Sequence, residues 1–487
     1  METKGKKITV VGLARSGVGA ANLLARLGAD VTVTDARAES ELSGPVARLS
    51  PLAKRALGGH PEEIFRGADL LVVSPGVPLD MQQIVAARAA GVPVIGELEL
   101  AFQIAEGAAA GRVPFLAVTG SNGKSTTTTL LDMMMRKGGF GTMLAGNIGN
   151  ALTEELLNTA GGDAPAAKGG RGDDRPASPL SFNLPDCIVL EVSSFQLDAT
   201  DAFRPHIAAV LNITPDHLDR YASAGEYARS KARVFKNQRE GDFLVLNADD
   251  PETMKIEREE LQLRKDGPAV FFFSRKHEVK GLFFRDGSVY CDIPLLPCGP
   301  GRPLISASEI RIQGVHNLEN AMAASAMALL AGCPPGAVIE ALREFGGLEH
   351  RLEFVRELDG VRYVNDSKGT NVGAVIKSIE SFVQPVVLIA GGRDKAGDFS
   401  ALRELVSRKV KSLVLIGEAA RKIGDAVGDA TDTVTAGSLA DAVAIARRKA
   451  KAGDVVLLSP ACASFDMFRD FEDRGEQFKK AVMELSV

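Results

Sequence analysis

The chain has 487 residues, 45% of them hydrophobic and 24% charged, which supplies several cores and argues against a disordered protein. With 57 Lys and Arg against 62 Asp and Glu, the net charge is −5, so neither nucleic acid nor an anionic membrane is an expected partner. Its 5 scattered cysteines indicate reduced thiols, and the sequence shows no signal-peptide cleavage pattern and no uncharged apolar stretch of bilayer length. We therefore expect a cytoplasmic protein of about two to four domains, without membrane insertion.

The first part of the chain, to about residue 100, alternates short β-branched runs with a helical pattern. It predicts strands at 8–11, 31–34 and 70–73, and a helix at 20–27. Glycines follow the first of these strands, and Asp35 closes the second. This order predicts a Rossmann-like domain with a parallel sheet.

The second part repeats the rhythm around a glycine loop. Strands are predicted at 115–118, 187–190, 208–211 and 243–246, and a helix at 317–330 closes the domain. Residues 160–180 interrupt the pattern with Gly, Pro, Ala and charged residues. We expect this insertion to be a poorly ordered surface segment without a catalytic role.

The third part begins near residue 348 and again alternates strands with helices. Strands are predicted at 361–364, 386–390, 413–416 and 455–458. The fold class predicted for the whole chain is α/β with three domains. They are a Rossmann-like N-terminal domain (1–103), a central P-loop mononucleotide-binding α/β domain (104–347) and a C-terminal Rossmann-like α/β domain (348–487).

The strongest local signal is the loop Gly-Ser-Asn-Gly-Lys-Ser at 120–125, between a strand and a helix. Backbone N–H groups in such a loop, together with the helix N-terminus, form an anion site. Lys124 can reach terminal phosphates, and the Ser125 hydroxyl can hold Mg²⁺. A tight turn with a surface lysine is the alternative, but the strand-loop-helix context favours phosphate binding. Val118 stands where a full Walker A motif has glycine, so an ordinary P-loop kinase is disfavoured.

Other polar groups near strand ends leave two explanations open. The turn at 12–19, with Asp35, could receive a diphosphate or be a structural turn. Glu191 could serve Mg²⁺ or be an exposed acid, and the cluster at 212–217 is equally open. The segments 365–371 and 459–466 could carry site residues or cap helices.

Taken together, these segments resemble the Mur ligase family. The resemblance rests on Gly-Ser-Asn-Gly-Lys-Ser-Thr at 120–126, Asn-Ile-Gly at 147–149, Glu-Val-Ser-Ser-Phe-Gln-Leu at 191–197, and the runs 212–219 and 459–468. The motifs occur in the family's order over nearly the whole chain, and only 160–180 and 251–303 depart clearly. The N-terminal βα unit, with Ser-Pro-Gly at 74–76, is similar to the UDP-binding domain of the member that adds D-glutamate.

This resemblance implies a reaction. ATP phosphorylates the L-alanyl carboxylate of UDP-N-acetylmuramoyl-L-alanine, and the amine of D-glutamate displaces phosphate from the acyl phosphate, in peptidoglycan precursor synthesis. The implied cofactors are ATP, two Mg²⁺ ions and a carbamylated lysine at Lys231. The implied partners are small-molecule substrates, and we expect a monomer. A sibling Mur ligase that adds another amino acid is the alternative.

The resemblance also implies roles for individual residues. Those with a catalytic role are Lys124, His217 and Lys231. Those that bind metal are Ser125, Glu191, His217 and Lys231. Those that bind ATP are Gly120, Ser121, Asn122, Gly123, Lys124, Ser125, Thr126, Asn317, Asn320, Arg351 and Asp366. Those that bind the UDP-linked substrate are Ser16, Asp35, Arg37, Ser74, Gly76, Asn147, Ser193 and Gln196. Those that bind D-glutamate are Lys368, Thr370, Lys395, Ser464 and Phe471.

Lys231 has two interpretations, one from its neighbours in sequence and one from the resemblance. Residues 227–235 predict one helix, and Arg229 and Arg233 beside Lys231 indicate an ordinary solvated face. The resemblance instead matches Lys231 to the lysine that is carbamylated in the family. A lysine beside Mg²⁺ has a lowered pKa, and its neutral amine can take up CO₂.

Two other classes of function are compatible with parts of the sequence. A nicotinamide-dependent oxidoreductase would use the N-terminal Rossmann-like unit but would leave the glycine loop at 120–125 unexplained. A non-catalytic nucleotide-binding scaffold would bind ATP and release no phosphate with any UDP-muramoyl substrate.

Overall fold

A computed structural model of the chain describes residues 1–108, 113–161, 181–217, 220–261, 264–294, 302–312, 314–395 and 397–486. Most of the insertion predicted at 160–180 lies outside these residues, so the expectations for it stay predictions. Within the described ranges, no helix is long and apolar enough to cross a membrane.

The N-terminal sheet is fully parallel, with strand order β3-β2-β1-β4-β5. Its strands are β1 (Lys7–Val11), β2 (Asp30–Asp35), β3 (Lys54–Leu57), β4 (Leu70–Val73) and β5 (Val94–Gly96). Its helices are α1 (Arg15–Arg26), α2 (Ser43–Ala47), α3 (Glu62–Arg66), α4 (Gln82–Ala89) and α5 (Glu97–Ala108). Val10 and Val11 belong to separate buried clusters on opposite faces, as expected for a sheet covered by helices on both sides. The Rossmann-like expectation is confirmed.

The central sheet has nine strands in the order β16-β15-β14-β13-β12-β11-β6-β10-β7. Its strands, with the small pair β8 and β9, are β6 (Phe115–Thr119), β7 (Thr142–Gly146), β8 (Ala160–Gly161), β9 (Ser181–Phe182), β10 (Cys187–Glu191), β11 (Ile207–Val210), β12 (Phe243–Asn247), β13 (Ala269–Ser274), β14 (Gly281–Arg285), β15 (Ser288–Asp292) and β16 (Pro303–Ser306). Its helices are α6 (Lys124–Lys137), α7 (Leu152–Thr159), α8 (Ser194–Asp198), α9 (Ala224–Ala232), α10 (Pro251–Ile256), α11 (Val315–Leu330) and α12 (Pro335–Glu344).

Three features of the central domain differ from expectation. Strands β13 to β16 extend the sheet through the stretch that departs from the family motifs, and sequence reasoning did not predict them. Helix α12 follows α11, so α11 does not close the domain. The helix expected over 227–235 is wrong at its end, because α9 stops at Ala232 and a 3-10 turn covers Arg233–Phe235.

The C-terminal sheet has the order β17-β18-β22-β19-β20-β21, and only β17 is antiparallel to its neighbour. Its strands are β17 (Glu353–Leu358), β18 (Val361–Asn365), β19 (Val386–Gly391), β20 (Val410–Ile416), β21 (Asp432–Thr435) and β22 (Val455–Leu458). Its helices are α13 (Val372–Glu380), α14 (Arg403–Lys409), α15 (Ala420–Val427), α16 (Leu439–Lys449) and α17 (Phe471–Met483). The three-domain α/β class is confirmed, while boundaries at 103 and 347 stay a prediction; α5 runs across the first of them.

The sheet orders bring the polar segments together. In the central sheet β6 lies between β10 and β11, so the glycine loop, Glu191 and the segment after β11 share one edge. In the C-terminal sheet β22 lies between β18 and β19, so the segments after these three strands also share an edge. Ligands bind at the carboxyl ends of strands in such sheets, which places a candidate site at each edge.

Candidate functional site

The glycine loop depends on glycine at two positions. Gly120 has a φ of 151° and Gly123 a φ of 85°, a backbone region that side chains disfavour. A Cβ on Gly123 would lie 2.2 Å from Oδ1 of Asn320. The loop is anchored to the neighbouring strand end, where Ser121 N donates to Asn212 O (2.9 Å) and Asn122 N donates to Asn212 Oδ1 (2.8 Å). The sequence cluster at 212–217 therefore has a structural function in holding the loop.

Two lysine side chains meet at one carbonyl oxygen of this loop. Lys124 Nζ lies 2.8 Å and Lys231 Nζ 2.9 Å from the oxygen of Gly120. Lys231 is 1% exposed and its Nζ lies 4.4 Å from the centre of the Tyr227 ring, so the solvated face suggested by its basic neighbours is wrong. Burial and the adjacent Lys124 hold the pKa of Lys231 well below its ordinary value, despite opposing carboxylates. Burial also lowers the pKa of Lys124.

Glu191 is a buried carboxylate whose two oxygens have different surroundings. It is 2% exposed at the end of β10, and its Oε1 accepts a bond of 2.6 Å from Asn147 Nδ2. Its Oε2 is buried and has no hydrogen-bond partner among the described residues. Ser125, in the first turn of α6, is also buried. A hydroxyl and an unsatisfied carboxylate are the hard oxygen ligands that Mg²⁺ prefers, so this donor set fits the ion.

Asp216 joins the central domain to the C-terminal domain. Its carboxylate accepts bonds from Asn371 Nδ2 (2.9 Å) and Lys395 Nζ (3.1 Å). Burial would raise the pKa of Asp216, but Lys395, His217 and Asn371 together lower it below its ordinary value. The neighbouring His217 has a left-handed backbone, with a φ of 55°, and its ring packs edge-on against Phe195.

A cleft of about 840 Å³ lies between these two domains. It contains several predicted ATP-binding residues, namely Asn122, Gly123, Asn320, Arg351 and Asp366, and also Lys368. Asn317 lines an adjoining cleft that shares Arg351. Sequence reasoning missed much of the remaining wall, including Asp249, Asp250, Arg275, Lys276, His316, Glu319, Lys377 and Ser378. These side chains come from separate elements, and no local motif marks them.

Asp366 holds the C-terminal wall of this cleft together. Its Oδ2 accepts bonds from Ser378 Oγ (2.6 Å) and Ser459 Oγ (2.7 Å). Burial raises the pKa of Asp366 in spite of these donors. A Cβ on Gly369 would lie 2.6 Å from the same carboxylate, which explains why glycine stands between Lys368 and Thr370.

The predicted D-glutamate residues lie after β18, β19 and β22, and the buried side chain of Arg474 joins the first and last of these loops. Lys368 Nζ lies 4.8 Å from the centre of the Phe471 ring, and Ser464 is buried. Arg474 donates to Ser367 Oγ (2.9 Å) and Ser367 O (2.7 Å), and to the carbonyl oxygens of Cys462 (3.2 Å) and Ala463 (3.4 Å). Among the described residues it forms no ion pair, and burial lowers its pKa to about 10.

Sequence reasoning missed Arg474, although a signal was available. Phe471, Arg474, Phe478 and Val482 follow the helical spacing of one face of α17, so Arg474 stands in an otherwise apolar stripe. A charged residue at such a position is buried at a cost unless its donors find partners. Here the partners are the loops that carry Lys368 and Ser464.

A second cleft, of about 990 Å³, lies between the N-terminal and central domains. Seven of the predicted UDP-substrate residues line it, namely Ser16, Asp35, Arg37, Ser74, Gly76, Asn147 and Gln196. Ser193 does not line it and instead caps α8, with its hydroxyl 3.0 Å from Gln196 Oε1. Burial would raise the pKa of Asp35, but bonds from Arg37 and Leu13 N lower it to about 2. Asp35 is therefore a fixed negative charge at neutral pH.

Family models match all three domains. The matches are "Mur ligase MurD-like, N-terminal domain" over residues 6–96, "Mur ligase middle domain" over 118–328 and "Mur ligase, glutamate ligase domain" over 350–462. Among solved structures, the UDP-N-acetylmuramate-alanine ligase MurC of Thermotoga maritima superimposes with a TM-score of 0.57 at 19% identity, covering 98% of this chain and 99% of its own. The MurF ligase of Thermotoga maritima in complex with ADP gives 0.56 at 16% identity, covering 86% and 90%. At these identities the structural likeness concerns the fold.

Curated relatives are similar over the full length of the chain. A protein of Geotalea daltonii named UDP-N-acetylmuramoylalanine--D-glutamate ligase is 46% identical, covering 100% of this chain and 99% of its own. A protein of Pelobacter propionicus with the same name is 45% identical and covers 100% of both. The three family matches and these relatives agree with the P-loop, the buried Glu191 and the two interdomain clefts described above. The chain therefore belongs to the Mur ligase family.

Proposed function

We propose that the protein joins D-glutamate to UDP-N-acetylmuramoyl-L-alanine in the cytoplasm, with hydrolysis of ATP. The observation that carries this proposal is the meeting of three segments across the cleft of about 840 Å³. The glycine loop, the segment after β11 that carries Asp216, and the loop after β18 are linked beside it by Asn371, which donates to both Asn122 (3.3 Å) and Asp216 (2.9 Å). The relatives that share the full length of the chain carry the name of this ligase. A monomeric state stays a prediction.

ATP would lie with its phosphates on the glycine loop. The N-terminus of α6 and the backbone N–H groups of the loop favour an anion. Lys124, which bonds to Gly120 O and Ser121 O in this structure, would turn to the terminal phosphate. Arg351 and Asn320 line the same cleft and would contact the rest of the nucleotide. Such positioning of charge is the main contribution a protein makes to phosphoryl transfer.

Ser125 and Glu191 would hold one Mg²⁺, and His217 and Lys231 would serve a second. Bound Mg²⁺ would supply positive charge to offset the negative charge that develops on the transferred phosphoryl group. The orphaned Oε2 of Glu191 supports the first assignment, and the buried position of Lys231 beside the loop supports the second. Residues on both sides of the cleft would exclude water, which is needed because an acyl phosphate is readily hydrolysed.

Lys231 would act as a carbamate. Its neutral amine would form an N–C bond to CO₂ and release one proton, which converts an uncharged amine into an anionic carbamate. Burial and Lys124 hold the pKa of Lys231 well below its ordinary value, so the neutral amine is available without strong base. The carbamate would also place a negative charge close to the Lys124 side chain, which lies beside Lys231 at Gly120 O.

D-Glutamate would bind at the C-terminal edge, between Lys368, Thr370, Lys395, Ser464 and Phe471. Its two carboxylates need cations and hydroxyl donors, and this set provides both. Lys395 bonds to Asp216 in this structure, so glutamate would either share it or displace that contact. The amine of glutamate would attack the acyl phosphate carbon, and the tetrahedral intermediate would expel phosphate.

The test is phosphate release by the whole protein with ATP, Mg²⁺, UDP-N-acetylmuramoyl-L-alanine and a panel of amino acids. We expect strict dependence on D-glutamate, with L-glutamate at least about 100-fold poorer, because a misplaced amine loses its near-attack geometry. L-Alanine, L-lysine and meso-diaminopimelate serve as the sibling-ligase alternatives. Equal rates with both glutamate enantiomers, or a higher rate with a sibling substrate, would refute the proposal.

A further inference from the structure

Two buried carboxylates in the first turn of α5 attach the N-terminal sheet to the central domain. Glu97 is 1% and Glu99 0% exposed. Glu97 Oε1 accepts bonds from the backbone N and from Oγ1 of Thr153, each of 2.8 Å. Glu99 accepts bonds of 2.9 to 3.0 Å from the backbone N–H groups of residues 201–203. Because a buried carboxylate is unfavourable without such donors, each of the two side chains depends on its own set of partners.

Glu97 acts as the missing cap of helix α7. The helix follows Ala151, whose side chain cannot accept a hydrogen bond from the first turn. The first-turn N–H groups of a helix have no partner within it, and a negative charge is favourable beside them. Glu97 supplies the acceptor from another part of the chain, 56 residues before Thr153, although burial raises the pKa of its carboxyl.

The helices of the N-terminal domain pack tightly around this contact. A Cβ on Gly19 in α1 would lie 2.6 Å from Thr153 Oγ1. A Cβ on Gly96 would lie 2.9 Å from Ala199 Cβ, and Gly96 N donates to Ala199 O at 2.7 Å. The junction therefore leaves little freedom for α7 or for the end of α8 to move relative to the N-terminal sheet.

The elements held in this way carry one wall of the cleft of about 990 Å³. Asn147 and Ala151 precede α7, and Gln196 lies in α8. We infer that Glu97 is a positioning residue for the UDP-linked substrate, because it fixes the start of α7, and with it this wall, against the N-terminal domain. The inference rests on the proposed function for the identity of the substrate. Glu97 does not line the cleft, so its effect is transmitted through Thr153.

The experiment measures binding of UDP-N-acetylmuramoyl-L-alanine by calorimetry and the KM of each substrate. For Glu97→Leu we expect Kd and KM for this substrate to rise about tenfold or more, with KM for ATP and D-glutamate within about twofold, because only one cleft loses its preorganised wall. Glu97→Gln should stay within about threefold of wild type, since the amide oxygen can still accept both Thr153 bonds. Thr153→Val removes one of the two donors, so its Kd for this substrate should lie between those of Glu97→Gln and Glu97→Leu.

Glu99→Leu is the matched control. It removes an equally buried carboxylate of the same helix turn, whose partners at 201–203 do not line the cleft. We expect its melting temperature to fall while Kd for the UDP-linked substrate is unchanged. If Glu97→Leu does not fold, Thr153→Val decides the question in the same assay.

Either of two results would overturn the inference. One is an unchanged Kd in folded Glu97→Leu and Thr153→Val. The other is an equal rise in the KM of all three substrates, which indicates general damage. Wild-type protein that binds UDP-N-acetylmuramoyl-L-alanine but ligates no D-glutamate would contradict only the proposed function, and would leave the effect of Glu97 on binding measurable.

Discussion

At the scale of single residues, the site depends on charges that the fold holds close together. Lys124 and Lys231 share the oxygen of Gly120, while Glu191 lies buried with one unsatisfied oxygen. Like charges in a buried place are unfavourable unless a ligand compensates them. A phosphate or a carbamate beside the lysines, and Mg²⁺ beside Glu191, would offset these charges.

The first prediction concerns Lys124. Replacement by alanine should lower kcat by about 100- to 1,000-fold, because charge stabilisation of a transferred oxyanion is worth roughly 3 to 4 kcal/mol. Folding should hardly change, since Lys124 is at the first turn of α6 and bonds only to loop carbonyls. Steady-state kinetics and thermal melting measure the two effects. Lys137→Ala, at the other end of α6, is the control, and near-normal turnover of Lys124→Ala would make the loop purely structural.

The second prediction concerns Lys231. Lys231→Ala should lose about 100-fold or more of its activity and keep its fold, because the carbamate that would serve metal is lost. Short carboxylic acids should restore part of the activity in this variant. In wild type, removal of CO₂ should lower activity. At a fixed concentration of dissolved CO₂, its return should restore activity faster at higher pH, where more amine is neutral.

Lys236→Ala, four residues after the α9 end, provides the matched control, because Lys236 is exposed. Activity of Lys231→Ala equal to that of this control, with no response to added acids or bicarbonate, would rule out the carbamate.

At the scale of elements, the site consists of loops at strand ends that other elements hold in place. Arg474 of α17 ties the loop after β18 to the loop after β22, and Asn212 ties the segment after β11 to the glycine loop. Elements that make no such contacts should be dispensable. The small pair β8 and β9 is the entry and exit of the insertion, with Gly161 paired to Ser181.

The third prediction follows from this pair. Deleting 162–180 and joining Gly161 to Ser181 through Asn-Gly should leave kcat/KM within about twofold, because a two-residue turn suits paired antiparallel strands. The low apolar content of the segment cannot support a core, and loop length affects stability weakly. Kinetics and circular dichroism of the shortened protein test this. Loss of activity in a folded variant would show that the insertion has a functional role.

At the scale of the whole molecule, the two clefts differ in how their walls are joined. The N-terminal domain is joined to the central domain by buried contacts at Glu97 and Glu99. The central and C-terminal domains are bridged by polar contacts of Asp216 with Lys395 and Asn371. Polar interfaces between domains permit relative motion, so movement is expected mainly in the C-terminal domain.

The fourth prediction concerns the contacts of Asp216 with Lys395 and Asn371. Asp216→Ala should lower kcat/KM about tenfold or more, because misplaced domains lose the near-attack geometry of the amine. Its radius of gyration by small-angle X-ray scattering should exceed that of wild type. Asp454→Ala removes a comparably buried ion pair with Lys411 inside the C-terminal domain, and should change neither quantity. Equal scattering curves for Asp216→Ala and wild type would refute the bridge.

The sequence by itself determined the fold class and the polar segments at the strand ends of the central and C-terminal sheets. Short apolar runs marked β1, β6, β10 and β22 to within a residue or two, because parallel strands buried on both faces are continuous β-branched and apolar runs. It also marked the glycine loop, since φ values such as that of Gly123 require glycine. It did not reveal β13 to β16, although each of these strands pairs with a neighbour in sequence, because strand formation depends on packing against cross-strand and same-face neighbours more than on intrinsic preference.

Only the tertiary structure decided which of these residues act together. Lys231 is flanked by arginines on a polar helix, yet it is buried because α9 packs beside the glycine loop. Arg474, Glu97 and Asp216 owe their importance to partners 11 to 179 residues away, and no local pattern encodes such distances. Periodicity reports which face of an element is buried, whereas the contact that a buried polar group makes depends on the packing of elements from different parts of the chain.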